Sequence, residues 1–226
     1  MKTLRILAIA AAATLSIGAA PKAAPNWNAT TAVTPAGNHI WGNPAAAARL
    51  VEFVSYTCPH CANFEAQADG PMRANYVAQG KLSVEVRSFL RNPVDLAATL
   101  LTTCGASSKF FGNHTAFMRS QEKWIGQLAN PTAEQRKRWS TGEFATRTRA
   151  IAADLGFYDI MKTRGYDRAT ADRCLADEGK AQQLATGTQN AENLGITGTP
   201  SFMLNDVVLA GTHEWRTLEP QIRARM

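Results

Sequence analysis

Hydrophobic and polar positions change period along this chain. RLVEFVSY, residues 49–56, is apolar, β-branched and aromatic almost throughout, with Glu52 set inside the run. Such a run predicts a strand buried on both faces. Beyond Cys58 the period lengthens. Phe64, Ala68, Met72 and Tyr76 recur every fourth residue and mark one face of a helix. Pro59 suits the first helical position, where its missing N–H would have no partner in any case. Gly70-Pro71 is expected to kink or restart this helix, and Gly80 to end it. In KLSVEVRSF, residues 81–89, Leu82, Val84 and Val86 alternate with polar neighbours, which is strand period. Residues 49–89 therefore read as strand, helix, strand: a parallel pair with a right-handed crossover.

Upstream, TTAV at 30–33 reads as a short edge strand and His39–Trp41 as a second, inside a loop punctuated by Gly, Asn and Pro. From Asn92-Pro93 to about residue 190 the composition is helical, with breaks at glycines and at Asn130-Pro131. Ser140-Thr141-Gly142-Glu143 offers a cap for a helix carrying Phe144, Ile151 and Leu155. β-Patterning then returns. Ser201–Leu204 and Val207–Ala210 read as strands joined by a two-residue turn, Asn205-Asp206. A final helix carries Trp215, Leu218 and Ile222 and starts near Thr212 or His213. This order predicts an α/β fold in which one domain, residues 25–92 and 190–226, is split by a helical insertion, residues 93–189.

The chain has 226 residues, 45% of them hydrophobic, enough for a packed core. Its start reads as an export leader over residues 1–20: Lys2 and Arg5, then an apolar alanine-rich stretch, then small residues. Cleavage is expected between Ala19 and Ala24, and no later stretch is long and apolar enough to span a membrane. The formal charge of +6 includes Lys2 and Arg5 and is ordinary for solubility. The basic run Arg136-Lys137-Arg138 reads as a solvated helix face, and no nucleic-acid partner is expected.

Export permits disulfides. Cys58 and Cys61 lie close enough to select each other, which leaves Cys104 with Cys174. Three chemistries compete for Cys58-Pro59-His60-Cys61. A structural zinc needs four ligands, but the other cysteines and His39, His114 and His213 are scattered. A structural disulfide across so short a loop stabilises little. Redox chemistry explains the placement. Cys58 at a helix N-terminus meets unpaired N–H groups and the positive end of the dipole, which favour a thiolate. Cys61 sits one turn along, behind an exposed Cys58, and His60 adds a donor and partial positive charge. A stabilised reduced form makes the disulfide an oxidant. Far downstream, Thr199-Pro200 precedes a strand. A cis bond would explain a proline there and leave the Thr199 backbone free for an extended peptide.

CPHC after a strand, a helical insertion and Thr-Pro before a hairpin resemble the thioredoxin superfamily, and within it the DsbA-type disulfide oxidoreductases of the bacterial envelope. The resemblance covers roughly residues 37–226. It implies a thioredoxin-like fold, a catalytic Cys58-Cys61 pair with Pro59 and His60 between them, and substrate binding at Thr199 and Pro200. It implies that Glu52 is the family's buried acid, relaying a proton to or from Cys61, with Lys81 or Arg87 as its basic partner. Cys104 and Cys174 match a second cysteine pair found in some members and imply a staple for the insertion. The partners implied are exported polypeptides with free thiols and a membrane reoxidase resembling DsbB. No metal or organic cofactor is implied, because the cysteines carry both electrons. Thr199, where the best-studied oxidases have valine, is common in isomerases and reductases of the superfamily. Such isomerases carry an N-terminal dimerisation domain, whereas few residues separate the leader from the first strand here, so a monomer is expected.

Overall fold

The computed structural model describes residues 24–226; the export leader expected at 1–20 lies outside the described residues. A six-stranded sheet in the order β1-β2-β4-β3-β5-β6 organises the chain. Its strands are β1 (Thr31–Val33), β2 (His39–Gly42), β3 (Ala48–Val54), β4 (Leu82–Ser88), β5 (Ser201–Leu204) and β6 (Val207–Val208). Central β3 runs parallel to β4, from Ala48 opposite Leu82 to Val54 opposite Ser88, and antiparallel to β5. The crossover between β3 and β4 is α1 (Pro59–Met72). The mixed α/β class and the thioredoxin-like arrangement are as expected from the sequence.

Side chains of a strand alternate between its faces. On β3, Val51 and Phe53 point to one face and pack with Phe89, Ala191, Ile196 and Met203. Leu50 and Val54 point to the other and join the main core with Phe64 and Ala68 of α1. Glu52 lies between Leu50 and Val54, so it points to the α1 face and is buried there.

Helices fill the stretch between β4 and β5: α2 (Pro93–Thr102), α3 (Phe110–Ser120), α4 (Ile125–Ala129), α5 (Ala133–Ser140), α6 (Phe144–Asp154), α7 (Phe157–Thr163), α8 (Arg168–Leu175) and α9 (Glu178–Asn193). The boundary expected at 189/190 falls inside α9, whose last turn places Ala191 against the sheet. α10 (Trp215–Arg223) closes the chain, with Glu214 at its N-cap position and Leu218 and Ile222 buried.

Several local expectations shift in detail. Pro71 does not break α1. The helix runs on to Met72 and widens into a π-helical turn over Arg73–Val77. A proline removes one N–H from the ladder, and the wider turn absorbs the mismatch downstream. α6 starts at Glu143 without a side-chain cap, whereas α5 carries a full capping box, Thr132 with Gln135. β6 is two residues long rather than four, although Leu209 N–H still bonds to Phe202 O at 2.9 Å. Asn205 and Asp206 both have positive φ, 50° and 67°, as a type I′ hairpin turn requires. In the basic run, Arg138 reaches Asp154 at 2.6 Å, and Trp139 turns inward to share that carboxylate.

Cys104, just past α2, and Cys174, in α8, are bonded with a Cα separation of 5.7 Å across 70 residues of chain. Closing so long a loop restricts the unfolded chain strongly. Cys104→Ser/Cys174→Ser is expected to lose about 4 kcal/mol of stability, read as a lower urea midpoint against the oxidised parent; an unchanged midpoint would show that the bond carries no stability.

Candidate active site

β3 delivers the chain into a short loop, Ser55-Tyr56-Thr57, and then into α1 with Cys58 at its N-cap position and Pro59 at N1. This loop is buried, so its polar groups need partners. Asp95, in the first turn of α2, supplies them. Its carboxylate accepts from Ser55 Oγ at 2.8 Å, from Thr57 N–H at 2.9 Å, from Thr57 Oγ1 at 3.0 Å and from Arg91 N–H at 3.0 Å. Asn92 caps α2 and also donates to Thr57 Oγ1 at 2.9 Å. Across the site, Gln121 Nε2 donates to the carbonyls of Tyr56 at 2.7 Å and Cys58 at 3.0 Å. Two helices from the β4–β5 connection therefore hold the loop that presents Cys58.

Cys58 and Cys61 are free thiols here. Cys61 is wholly buried. Cys58, expected to be exposed, is only 3% accessible, because Thr199 covers it: the Cys58 Sγ lies 3.1 Å from the Thr199 carbonyl oxygen. The Thr199–Pro200 bond is cis, and the Thr199 hydroxyl is buried without a protein partner. His213 Nδ1 lies 2.8 Å from the Pro200 carbonyl oxygen. Downstream residues thus meet the thiols at the same end of the sheet.

The two thiols are driven apart in acidity. The pKa of Cys58 falls to about 5: hydrogen bonding from Cys61 lowers it against the cost of burial, and the backbone N–H groups of Cys61 and His60 add to the effect. Burial pushes Cys61 well above the ordinary thiol value, and the charge on Cys58 adds to the rise. His60 acts on the sulfur through its backbone amide, while its side chain is exposed, as is Pro59.

Burial also raises Glu52, to about 8, with His114 opposing the shift and Glu65 and Asp69 adding to it. Neither expected basic partner reaches Glu52. Arg87 pairs with Phe53 in the parallel register, one position beyond the Val86 that faces Glu52, so it lies on the opposite face. There it bonds Glu85 at 2.7 Å and lies over the Phe53 ring. Lys81 is exposed near the start of β3, its carbonyl accepting from Ala48 N–H. His114, from α3, and Arg73 share a small cavity with Glu52, and His114 is the basic group whose charge lowers the Glu52 pKa.

The chain matches the family described as Thioredoxin over residues 34–224. It belongs to the thioredoxin family. Among solved structures, a protein-disulfide isomerase from Novosphingobium aromaticivorans is 56% identical, covers 83% of this chain and 96% of its own, and superposes with a TM-score of 0.80. Wolbachia pipientis alpha-DsbA1 shares the fold at 22% identity and a TM-score of 0.64, over 85% of this chain and 92% of its own. A protein-disulfide oxidoreductase of Rickettsia bellii is 29% identical over 74% of this chain and 57% of its own. The chain spans about half the length of the curated relatives it matches. Asp95, Gln121 and His114 were not singled out by sequence. Asp95 reads as an ordinary first-turn acid, and nothing local ties Gln121 or His114 to a site built from distant segments.

Two expectations follow for this thioredoxin-family site. A thiol whose folded pKa lies below its unfolded one stabilises the fold most above the unfolded value, and that gain is lost as pH falls through the folded value. The reduced protein should therefore hold its full thiolate advantage over the disulfide form above pH 9 and none below about pH 5. Thiolate absorbance and paired urea titrations check both; a Cys58 that ionises near pH 9 would contradict the geometry. Asp95→Ala should lose about 3 kcal/mol, because it strands buried donors of the loop, as measured by chemical denaturation.

Proposed function

We propose that this protein is a thiol:disulfide oxidoreductase that introduces disulfide bonds into exported polypeptides through Cys58 and Cys61. The observation that carries this reading is the split between the thiols: Cys58 held down to about 5, Cys61 pushed up. A stabilised Cys58 thiolate favours the reduced pair and makes the Cys58–Cys61 disulfide a strong oxidant.

In the reaction a substrate thiolate attacks the Cys58 sulfur of the disulfide. The S–S bond breaks, and Cys61 leaves with the electron pair. Cys61 is buried and cannot stay an anion cheaply, so it takes a proton from the Glu52 carboxyl, which is raised enough to carry one at neutral pH. A second substrate thiolate then attacks the substrate sulfur of the mixed disulfide. Cys58 departs as its stable thiolate, and the substrate leaves with one disulfide and two fewer electrons. Thr199 and Pro200 border Cys58, where an extended peptide would lie. A membrane reoxidase resembling DsbB would restore the disulfide. The leader supports a periplasmic location, and we read residues 93–189 as an insertion that holds the thiol loop, in a protein that works as a monomer.

The second reading within this chemistry is an isomerase or reductase, favoured by Thr199 and by the name of the Novosphingobium relative. A peptide-binding, chaperone-like role is the third. Equilibration of the mature protein with glutathione mixtures separates the first two. The oxidase should show a potential far above that of thioredoxin, whereas a thioredoxin-like value would assign it as a reductase. Cys61→Ser should trap a mixed disulfide at Cys58, and Cys58→Ala should abolish disulfide transfer; a Cys58→Ala protein that still supports its cells fully would assign the chaperone role.

A further inference from the structure

Behind Cys61 lies a group of buried ionisable side chains that the thiol chemistry leaves unexplained. Glu65 and Asp69 come from α1, Glu52 from β3 and His114 from α3, and all four line one small cavity. Three carboxyl groups beside one imidazole in a protein core need positive charge. Asp69 has it, from Arg73 Nε at 2.6 Å and Arg119 Nη2 at 3.2 Å. Glu65 accepts from Thr115 Oγ1 at 2.7 Å, and its second oxygen lies 3.6 Å from His114 Nε2. The other ring nitrogen of His114 is 2.9 Å from the Tyr56 hydroxyl. Both nitrogens therefore face oxygen. A neutral imidazole meets both oxygens only where the Tyr56 hydroxyl donates to Nδ1, whereas an imidazolium donates from both nitrogens and sets its charge against the Glu65 carboxylate.

Among the described residues, the arginines near this cavity are held by Asp69 rather than placed at the His114 ring. Phe110 stacks on it from α3, and the far face of Phe110 carries His39 of β2, with ring centroids 3.9 Å apart. Burial, helped by the charge of Lys180, lowers His39 to about 4, so it is neutral. Arg119 and Arg73 are engaged with Asp69.

We propose that His114 is an imidazolium in the folded protein, the buried cation that positions the proton on Glu52. This deepens the oxidoreductase reading and rests on it for the role of Glu52 as the acid that serves Cys61. The charge balance agrees. Burial opposes the charge on His114, but its contact with Glu65 and the pull of Glu65, Glu52 and Asp69 outweigh it and raise its pKa. Glu65 falls to about 2, against burial, with His114 the leading favourable partner. When Glu52 gives its proton to the departing Cys61 sulfur, the new carboxylate is left near a fixed positive charge, and Glu52 regains its proton from solvent. Without His114, burial would hold that proton too tightly for transfer near neutral pH. His114 is thus a positioning residue, filling from α3 the place of the base expected at Lys81 or Arg87.

Infrared titration of the Glu52 carboxyl in the reduced full chain tests this, with Glu52→Gln identifying the band. The parent should titrate near pH 8. His114→Gln should move that midpoint up by about one unit or more, a tenfold tighter hold on the proton, and leave the Cys58 titration in place. The alkaline limb of the rate of attack by substrate thiol should move up with it. A Glu52 midpoint unmoved by His114→Gln overturns the proposal. Nitrogen-15 spectra of His114 in the parent decide the matter even where the variant fails to fold: both ring nitrogens protonated at pH 7 supports it, and a neutral tautomer overturns it. A Cys58 with an ordinary thiol pKa beside a Glu52 that shifts as expected would remove the oxidase reading and keep the charge on His114.

Discussion

The sulfur of Cys58 occupies the open end of α1, where the backbone amides of His60 and Cys61 face it. Holding a negative charge at that point constrains everything near it. Charges interact strongly in a poorly solvated interior, so a second anion behind the first is costly. Cys61 lies in that region, and burial and the charge on Cys58 push it toward its neutral form; burial, with Glu65 and Asp69, does the same to Glu52. The site thus holds one anion at the helix end and two protonated acids behind it. Glu65 escapes the rule because His114 and Thr115 stand against its two oxygens.

Placing the sulfur there is a problem of backbone geometry as well as charge. The loop between β3 and α1 is buried, and its amides cannot look to water. Asp95 meets them with a carboxylate that accepts four hydrogen bonds and has no ion-pair partner among the described residues. A carboxylate in this position is satisfied by N–H and O–H dipoles rather than by a cation, an arrangement that demands close geometry. Gln121 closes the loop from the other side. The helices between β4 and β5 are therefore part of the thiol site, and the disulfide from Cys104 to Cys174 ties together α2 and α8 on that same side of the molecule.

Much of this was legible in the chain because it depends on local periodicity. The continuous apolar run at 49–56 marks a central strand, the alternation at 82–86 marks its parallel neighbour, and Cys58-Pro59 marks a helix start. Parity groups Glu52 with Leu50 and Val54, but only the fold shows that α1 covers that face. The alternation of Val86 and Arg87 excludes Arg87 only once the register of β3 on β4 is known. His114 was not legible in this way. Its position beside Glu65 depends on how α3 packs on α1, and no spacing along the chain encodes that crossing. Asp95 was hidden for a related reason: its local role as a first-turn acid is ordinary, and its long-range role appears only when α2 folds back on the loop.

The same asymmetry bears on direction in the proposed reaction. Of the two sulfurs in the disulfide, Cys58 borders Thr199 at the rim, while Cys61 is closed off beneath it. Attack at Cys58 makes Cys61 the first leaving group, the poorer of the two by its raised pKa. That step needs a proton delivered inside the protein, and Glu52 is the nearby acid able to carry one at neutral pH. The second departure, from Cys58, needs no proton, because the helix end already stabilises the thiolate. An acid is thus required on one side of the pair only, and the fold buries Glu52 on that side.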